Sequence, residues 1–197
     1  MSGEASGEPT GMPRADPTLG SHGPALLVER AVTLDDDDLQ ALCEAAHAAI
    51  IDGGGFGWVT PPGSAALESY FRGVLLVPER QLFICRLDGV IVGSAQLLRP
   101  PRNNEAQAFA ATLMHSFIAP YARGHGLART MTNRIEEAAR ASGFQVLNLD
   151  VRETQVAAIA LYEATGYERW GEHPCYARVE GRTVRGFFFC KRLRPVT

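Results

Sequence analysis

The chain has 197 residues, of which 46% are hydrophobic and 21% are charged, and its net charge at pH 7 is −3. This length and composition are typical of a globular domain with a buried core, and the small negative charge gives no electrostatic reason to expect binding to nucleic acid or to an acidic membrane. No run approaches the roughly 18 apolar residues of a membrane span, and no apolar leader segment is present, so the cytoplasm is the expected compartment.

Residues 1–24 are rich in Gly, Ser, Pro and Glu and hold few large apolar side chains. Such a segment cannot bury enough surface to offset the entropy lost on ordering. We therefore expect a disordered tail over residues 1–24 and one domain over residues 25–197. The four cysteines are far apart and form no C-x-x-C pair, which predicts reduced thiols and no metal site.

An apolar strand is predicted at Ala25–Val32, and a helix follows it. Thr33 and the four aspartates after Leu34 place a capping residue and acidic side chains at the helix start, where the helix dipole favours them. Consecutive carboxylates on a helix point in different directions. The aspartates therefore indicate a charged first turn and not a metal site.

A glycine-rich loop, Asp52–Pro62, ends this helix and carries two aromatic residues. Phe56 and Trp58 either line a binding site or fill the core, and the sequence does not decide between these interpretations. A second helix is predicted at Ser64–Leu76.

Three antiparallel strands are predicted next. Asp88-Gly89 lies between two alternating apolar runs, Arg80–Leu87 and Val90–Leu98, and Asp-Gly in this position is a strong hairpin signal. A turn then leads into a third strand at about Ala106–Ile118.

This third strand runs into a glycine-containing turn at residues 123–128 and then into an amphipathic helix, with Leu127, Met131 and Ile135 on one face. The first N–H groups of a helix lack partners inside the helix, its dipole is positive there, and glycine lets a ligand approach the backbone. The segment is therefore suited to bind a phosphate. An ordinary strand-to-helix turn is the alternative.

A further strand is predicted at Phe144–Val151, and a short helix closed by Gly166 follows it. Because a helix separates this strand from the one that ends at Ile118, the two are expected to pair in parallel. A last strand is predicted at Gly186–Leu193.

Two motifs together resemble the GCN5-related N-acetyltransferase (GNAT) superfamily. Residues 123–128, Arg-Gly-His-Gly-Leu-Ala, match its Arg/Gln-x-x-Gly-x-Gly/Ala loop, and residues 158–167 match its A-x-x-L-Y-x-x-x-G-F/Y signature. The resemblance covers about residues 28–193. It implies an α/β fold: a mixed, mostly antiparallel central sheet with helices on both faces and a CoA cleft between two splayed parallel strands. Ser94–Leu97, Gly171–Tyr176 and the last strand are also similar to the tabtoxin-resistance-type acetyltransferases.

The resemblance implies that acetyl-CoA is the cosubstrate and that the acetyl group moves directly to a primary amine. No cysteine falls in either motif, so no acyl-enzyme is expected. The amine of a small molecule is the expected acceptor. A protein or peptide amine is the alternative, as is a non-catalytic acyl-CoA-binding module. A homodimer remains open, because many members of the superfamily are dimers.

The resemblance also assigns site residues. Tyr162 matches the tyrosine near the cofactor sulfur, and a phenol can donate a proton to the leaving thiolate. The loop would hold the pyrophosphate and the strand before it would pair with the pantetheine arm. The cofactor-binding residues expected on this basis are Ser116, Phe117, Ile118, Arg123, Gly124, His125, Gly126, Leu127, Ala128, Gln155 and Tyr162.

The sequence departs from the family at two positions. Gln155 stands where an asparagine is usual, and it can still form hydrogen bonds. Thr112 stands where many relatives carry a glutamate as general base, and threonine cannot do that task at neutral pH. Asp150, directly or through water, and His115 are the candidates for a replacement base, of which Asp150 is favoured. The alternative is that no dedicated base is needed, if the amine arrives largely neutral.

Overall fold

The computed structural model describes residues 23–54 and 57–193, so most of the expected tail (residues 1–22), Phe56 and the last four residues lie outside the described residues. Seven strands and four α-helices occur in the described ranges. They are β1 (Leu26–Ala31), α1 (Asp36–Ile51), α2 (Ser64–Leu76), β2 (Arg80–Leu87), β3 (Val90–Leu98), β4 (Ala110–Ile118), α3 (Leu127–Ala141), β5 (Val146–Arg152), α4 (Val156–Ala164), β6 (Glu168–Val179) and β7 (Arg182–Arg192).

The strands form one sheet in the order β1-β2-β3-β4-β5-β7-β6. Strands β4 and β5 are the parallel pair, and the other neighbouring strands are antiparallel. Helix α3 makes the crossover that a parallel pair requires. The expected mixed, mostly antiparallel sheet is confirmed.

Helices cover both faces of the sheet. On one face, Leu42 of α1 and Phe71 of α2 are fully buried against β2 and β3. On the other face, Met131 and Ile135 of α3 and Tyr162 of α4 are buried against the sheet. We name these the α1/α2 face and the α3/α4 face. Because each face has its own buried cluster, the sheet is the middle layer of a three-layer domain.

The aspartates at the start of α1 cap and anchor the helix. The carboxylate of Asp35 accepts the N–H of Asp38 at 2.8 Å, so Asp35 and not Thr33 is the capping residue. Both carboxylate oxygens of Asp38 bind the guanidinium of Arg86 on β2 at 2.6 Å. These hydrogen bonds lower the pKa of Asp38. The part of the chain that the structure describes contains no cluster of three potential metal ligands.

The predicted strands differ from the structure mainly in three places. Strand β4 starts at Ala110, because Glu105–Gln107 form a 3-10 turn. The last strand starts at Arg182, earlier than Gly186, and the edge strand β6 before it was not predicted. The residues of β6 are mostly exposed, and its register against β7 shifts twice, so its sequence has no regular apolar alternation.

In the described ranges, no helix combines the length and the apolar character needed to cross a membrane.

Candidate active site

Strands β4 and β5 separate part of the way along their length. They pair from Ala110 with Val146 to Thr112 with Asn148. Beyond this point β4 stays paired with β3 as far as Ile118, and β5 stays paired with β7. A gap therefore opens between the two parallel strands after Thr112 and Asn148. We call this gap the cleft, and it lies where the expected CoA cleft should be.

A β-bulge in β4 lies beside the cleft. The register of β3 against β4 shifts between Ser94 and Gln96, and His115 on β4 has a φ of 51°, in the left-handed region. One extra residue in a strand changes the face that the following side chains take. Leu113 before the bulge and Ile118 after it therefore both pack on the α3/α4 face. As a result, His115 contacts Tyr70 on the α1/α2 face, while its neighbour Ser116 contacts Tyr162 on the α3/α4 face.

The α3/α4 face of the cleft holds Tyr162. Its ring is buried, with its centroid 5.5 Å from that of Tyr167 and 6.2 Å from that of Phe189, and Ser116 of β4 forms a hydrogen bond with its hydroxyl. Burial raises the pKa of Tyr162, and the hydrogen bond with Ser116 lowers it by less. Tyr162 therefore keeps its proton at neutral pH and can act as a donor.

The α1/α2 face of the cleft carries Asp150. Its neighbours Leu149 and Val151 are buried on the opposite face, so its exposed carboxylate projects to this one. The hydroxyl of Tyr176 donates a hydrogen bond to Oδ2 of Asp150. The Tyr176 ring lies over Gly186, where a Cβ would overlap the ring, so this glycine lets Tyr176 approach the carboxylate. Burial, then the contact with Asp150, raises the pKa of Tyr176, which remains a donor.

His115 also faces the α1/α2 side of the sheet. Its Nδ1 lies 2.6 Å from the hydroxyl of Tyr70 on α2. Burial and, after it, the charge of Arg80 lower the pKa of His115, while Asp150 raises it by less. The two candidate bases, Asp150 and His115, therefore lie on the same face.

The glycine turn leads into α3 without a side-chain cap. Gly124 and Gly126 have φ values of 87° and 78°, which other residues rarely adopt. Gly126 is the N-cap of α3, and no side chain accepts a hydrogen bond there. Within the described residues, no backbone carbonyl accepts from the N–H groups of residues 124–128. These donors, with the positive end of the helix dipole, fit an anion.

Two predicted cofactor residues contact the end of α1. Arg123 Nη1 lies 2.6 Å from Oδ2 of Asp52, and Gln155 Nε2 donates to the carbonyl of Gly53 at 2.6 Å. His125 Nδ1 lies 3.3 Å from the Ala122 carbonyl. The side chains of Arg123 and Gln155 therefore tie the cleft to the loop after α1.

Three other predicted residues, Phe117, Ile118 and Leu127, have buried side chains. They can offer only backbone groups to a ligand. Ala128 is also partly buried against the core. Trp58 is partly buried, with its ring centroid 5.1 Å from that of Tyr70 in an edge-to-face contact.

A cavity of about 370 Å³ lies on the α1/α2 face, at the end of β4 and β5 where the two strands are paired. Thr112 and Asn148 line it, and Asp150 is two residues further along β5 on the same face. Phe109 adds an apolar wall and Arg99 a positive charge, and no carboxylate occurs among the described lining residues. A larger cavity of about 590 Å³ lies between α1 and α2, and none of the predicted site residues lines it.

Four residues of the α1/α2 face were not predicted as site residues: Tyr70, Arg80, Gln96 and Tyr176. Gln96 had a detectable signal, since a polar residue inside an apolar strand needs a buried partner. Tyr70 and Arg80 had none, because their partners are distant in sequence.

Comparison with known proteins identifies the family. A family model for the acetyltransferase (GNAT) family matches residues 48–167. An N-acetyltransferase from Azospirillum brasilense, from the hisH-hisA intergenic region and otherwise uncharacterised, is 66% identical over 128 residues, which cover 65% of this chain and 76% of that protein.

Two solved structures share the fold. The phosphinothricin acetyltransferase of Sinorhizobium meliloti, in complex with acetyl-CoA, has a TM-score of 0.70 and 21% identity over 85% of this chain and 88% of that chain. The ribosomal-protein-alanine N-acetyltransferase of Brucella melitensis has a TM-score of 0.70 and 23% identity over 84% of this chain and 99% of that chain. The family predicted from the two motifs is confirmed, while the likeness to tabtoxin-resistance enzymes stays a prediction. The chain therefore belongs to the GNAT family of N-acetyltransferases and is an acyltransferase.

Proposed function

We propose that this protein transfers an acetyl group from acetyl-CoA directly to the primary amine of a small molecule. The observation that carries the proposal is the cleft between β4 and β5, which has a buried phenol on one face and an exposed carboxylate on the other. Acetyl-CoA would supply a thioester, whose carbonyl carbon an amine can attack with loss of the thiolate.

The glycine turn fits the pyrophosphate of such a cosubstrate. Its N–H groups at residues 124–128 are open donors at a helix N-terminus, and both glycines have backbone conformations that keep side chains out of the way. The exposed Arg129 adds positive charge to the first turn of α3. Along β4, the backbone of Ser116–Ile118 faces the gap and would pair with the amides of the pantetheine arm.

Tyr162 acts as the general acid in this proposal. Its raised pKa keeps the proton on the phenol until a stronger base is present, and a departing thiolate can take that proton as the carbon–sulfur bond breaks. Ser116 orients the hydroxyl by its hydrogen bond.

Asp150 acts as the general base, directly or through a water molecule. Its carboxylate is exposed on the face that carries the cavity, and Tyr176 holds one of its oxygens. One proton moves from the amine to Asp150 and one from Tyr162 to the sulfur. Both side chains must then exchange protons with solvent before the next turnover.

The cavity beside Thr112 and Asn148 supports a small acceptor. Its volume of about 370 Å³ lies within the range of small-molecule sites, about 300–1,000 Å³. Thr112 is shorter than the glutamate that the family resemblance would place there, and it leaves the proton transfer to Asp150.

The proposal is tested by measuring thiol release from acetyl-CoA with two panels of acceptors, small primary amines and short peptides with free N-termini or lysines. We expect release with at least one small amine and a matching acetylated product by mass spectrometry. Release with peptides alone would overturn the assignment of a small acceptor. Binding of acetyl-CoA without release on either panel would favour a non-catalytic acyl-CoA-binding module.

A further inference from the structure

His115 ends a chain of polar side chains that crosses the α1/α2 face. Arg80 Nη1 donates to Oε1 of Gln96 at 2.9 Å, and Nε2 of Gln96 donates to the Tyr70 hydroxyl at 2.8 Å. That hydroxyl lies 2.6 Å from Nδ1 of His115. Gln96 is completely buried, so each of its polar atoms needs a partner. The four side chains come from β2, β3, α2 and β4.

The chemistry of the groups gives this chain one direction. A guanidinium only donates hydrogen bonds, so the atom of Gln96 that faces Arg80 must be its carbonyl oxygen. The amide nitrogen of Gln96 then faces Tyr70 and donates to it. Arg80 also forms a hydrogen bond with the Tyr70 hydroxyl; burial raises the pKa of Tyr70, and the contacts with Gln96 and Arg80 lower it by less.

The Tyr70 oxygen therefore accepts two hydrogen bonds, and its own proton points to the third neighbour, Nδ1 of His115. A nitrogen that accepts a hydrogen bond carries no proton. The proton of the neutral imidazole must then be on Nε2.

We propose that this chain holds His115 as the neutral tautomer with its proton on Nε2, so that His115 serves the cleft as a hydrogen-bond donor and not as its general base. Tyr70 is the positioning residue that sets the tautomer. In this state, the lone pair of Nδ1 is taken by Tyr70 and Nε2 already carries a proton. The ring has no lone pair with which to accept a proton from an amine. The functional part of this inference rests on the proposed function, and it leaves Asp150 as the base.

The charges around the ring favour the same state. Burial and, after it, the charge of Arg80 on β2 disfavour a positive charge on His115, and Tyr70 on α2 directs its proton at Nδ1, while Asp150 on β5 favours the charged ring by less. Protonation of Nδ1 would set two donors against each other at 2.6 Å. The ring is therefore expected to stay neutral over the range in which an ordinary histidine titrates, near pH 6.5.

Nitrogen-15 NMR of the histidine rings tests the tautomer without any need for activity. Among the five histidines of the chain, His115 is assigned by its loss in His115→Gln. We expect an unprotonated Nδ1 and a protonated Nε2 at neutral pH, with no titration between about pH 5.5 and 7.5. A proton on Nδ1, or titration near the ordinary value, would overturn the proposal.

Two variants test whether the chain sets the tautomer. Tyr70→Phe keeps the ring that contacts Trp58 and Phe71 but removes the hydroxyl, and His115 should then titrate. Gln96→Glu should accept the Tyr70 proton, so that Tyr70 accepts from His115 and the tautomer reverses to Nδ1–H. Tyr121→Phe, an exposed tyrosine, is the control. If His115 is unchanged in both variants, Tyr70 is not a positioning residue.

The pH dependence of kcat/KM tests the consequence for the reaction. We expect the wild-type profile to be unchanged in shape by His115→Gln. Tyr70→Phe should add an ionisation near pH 6.5, and the double variant with His115→Gln should remove it. A wild-type ionisation that His115→Gln abolishes would make His115 a base after all. Failure of the enzyme to acetylate any amine would refute the proposed function, while the NMR result would still stand.

Discussion

The two faces of the cleft are built in different ways. On the α3/α4 face, Tyr162 is buried among apolar rings, and its polar contact is the neighbouring Ser116. The α1/α2 face carries exposed Asp150, a polar chain from four elements, and a cavity lined in part by Thr112 and Asn148. Burial keeps a proton on a phenol, whereas a carboxylate must stay near water to take up a proton and release it. The difference therefore separates the donor of a proton from its acceptor.

The largest effect is expected for Tyr162→Phe, which removes the proton donor and keeps the buried ring. We expect kcat to fall by about 100-fold or more, in the range of general acid catalysis, with no change in the Kd for acetyl-CoA. Kinetics of thiol release and calorimetry of binding measure the two quantities. The matched control is Tyr167→Phe, a buried tyrosine in contact with Tyr162, which should keep its kcat. Equal losses in both variants would show that packing and not the proton is lost.

A somewhat smaller effect is expected for Asp150→Asn, which keeps the shape of the side chain and removes its charge. We expect kcat/KM to fall by about 10- to 100-fold at neutral pH and to recover in part at alkaline pH, where more of the amine is neutral in solution. The pH profile of kcat/KM measures this. Glu168→Gln, at an exposed residue of β6, is the control. An unchanged rate in Asp150→Asn would exclude this carboxylate as the base.

The glycine turn gives a third prediction, on binding alone. Gly126→Ala places a Cβ at a φ of 78° in the proposed phosphate site, whereas Gly143→Ala places one at a φ of 90° at the far end of α3. Each should destabilise the fold by about 1 kcal/mol, but only Gly126→Ala should weaken acetyl-CoA binding, by about 10-fold. Thermal unfolding and calorimetry measure both effects. A similar loss of affinity in Gly143→Ala would remove the turn from the site.

The smallest effect concerns the alkaline side of the pH profile of kcat in the wild-type enzyme. Because the pKa of Tyr162 is raised above its ordinary value, the phenol stays protonated, and kcat should show no fall below about pH 10. Loss of kcat at a lower pH, absent in Tyr162→Phe, would contradict a donor with a raised pKa.

The same contrast explains what the sequence could predict. Gly124 and Gly126 belong to one short motif between β4 and α3, and Tyr162 belongs to another on α4. Because each motif is contiguous in the sequence, the local pattern was enough to find these residues. The hairpin of β2 and β3 and the helix α2 were also predicted with their observed bounds. Tyr70, Arg80 and Gln96 lie on three separate elements and meet only through packing. The bulge at His115, which turns it toward Tyr70, has no signal in the residues themselves.

An acceptor whose amine is already neutral at neutral pH tests the division between the two faces most directly. Thiol release is measured for wild type, Asp150→Asn and Tyr162→Phe, once with an ordinary amine and once with a weakly basic analogue of the same shape. With the analogue, no proton must be removed before attack, so the defect of Asp150→Asn should largely disappear while that of Tyr162→Phe persists. If both variants keep their full defects with the analogue, the assignment of base and acid to opposite faces of the cleft is wrong.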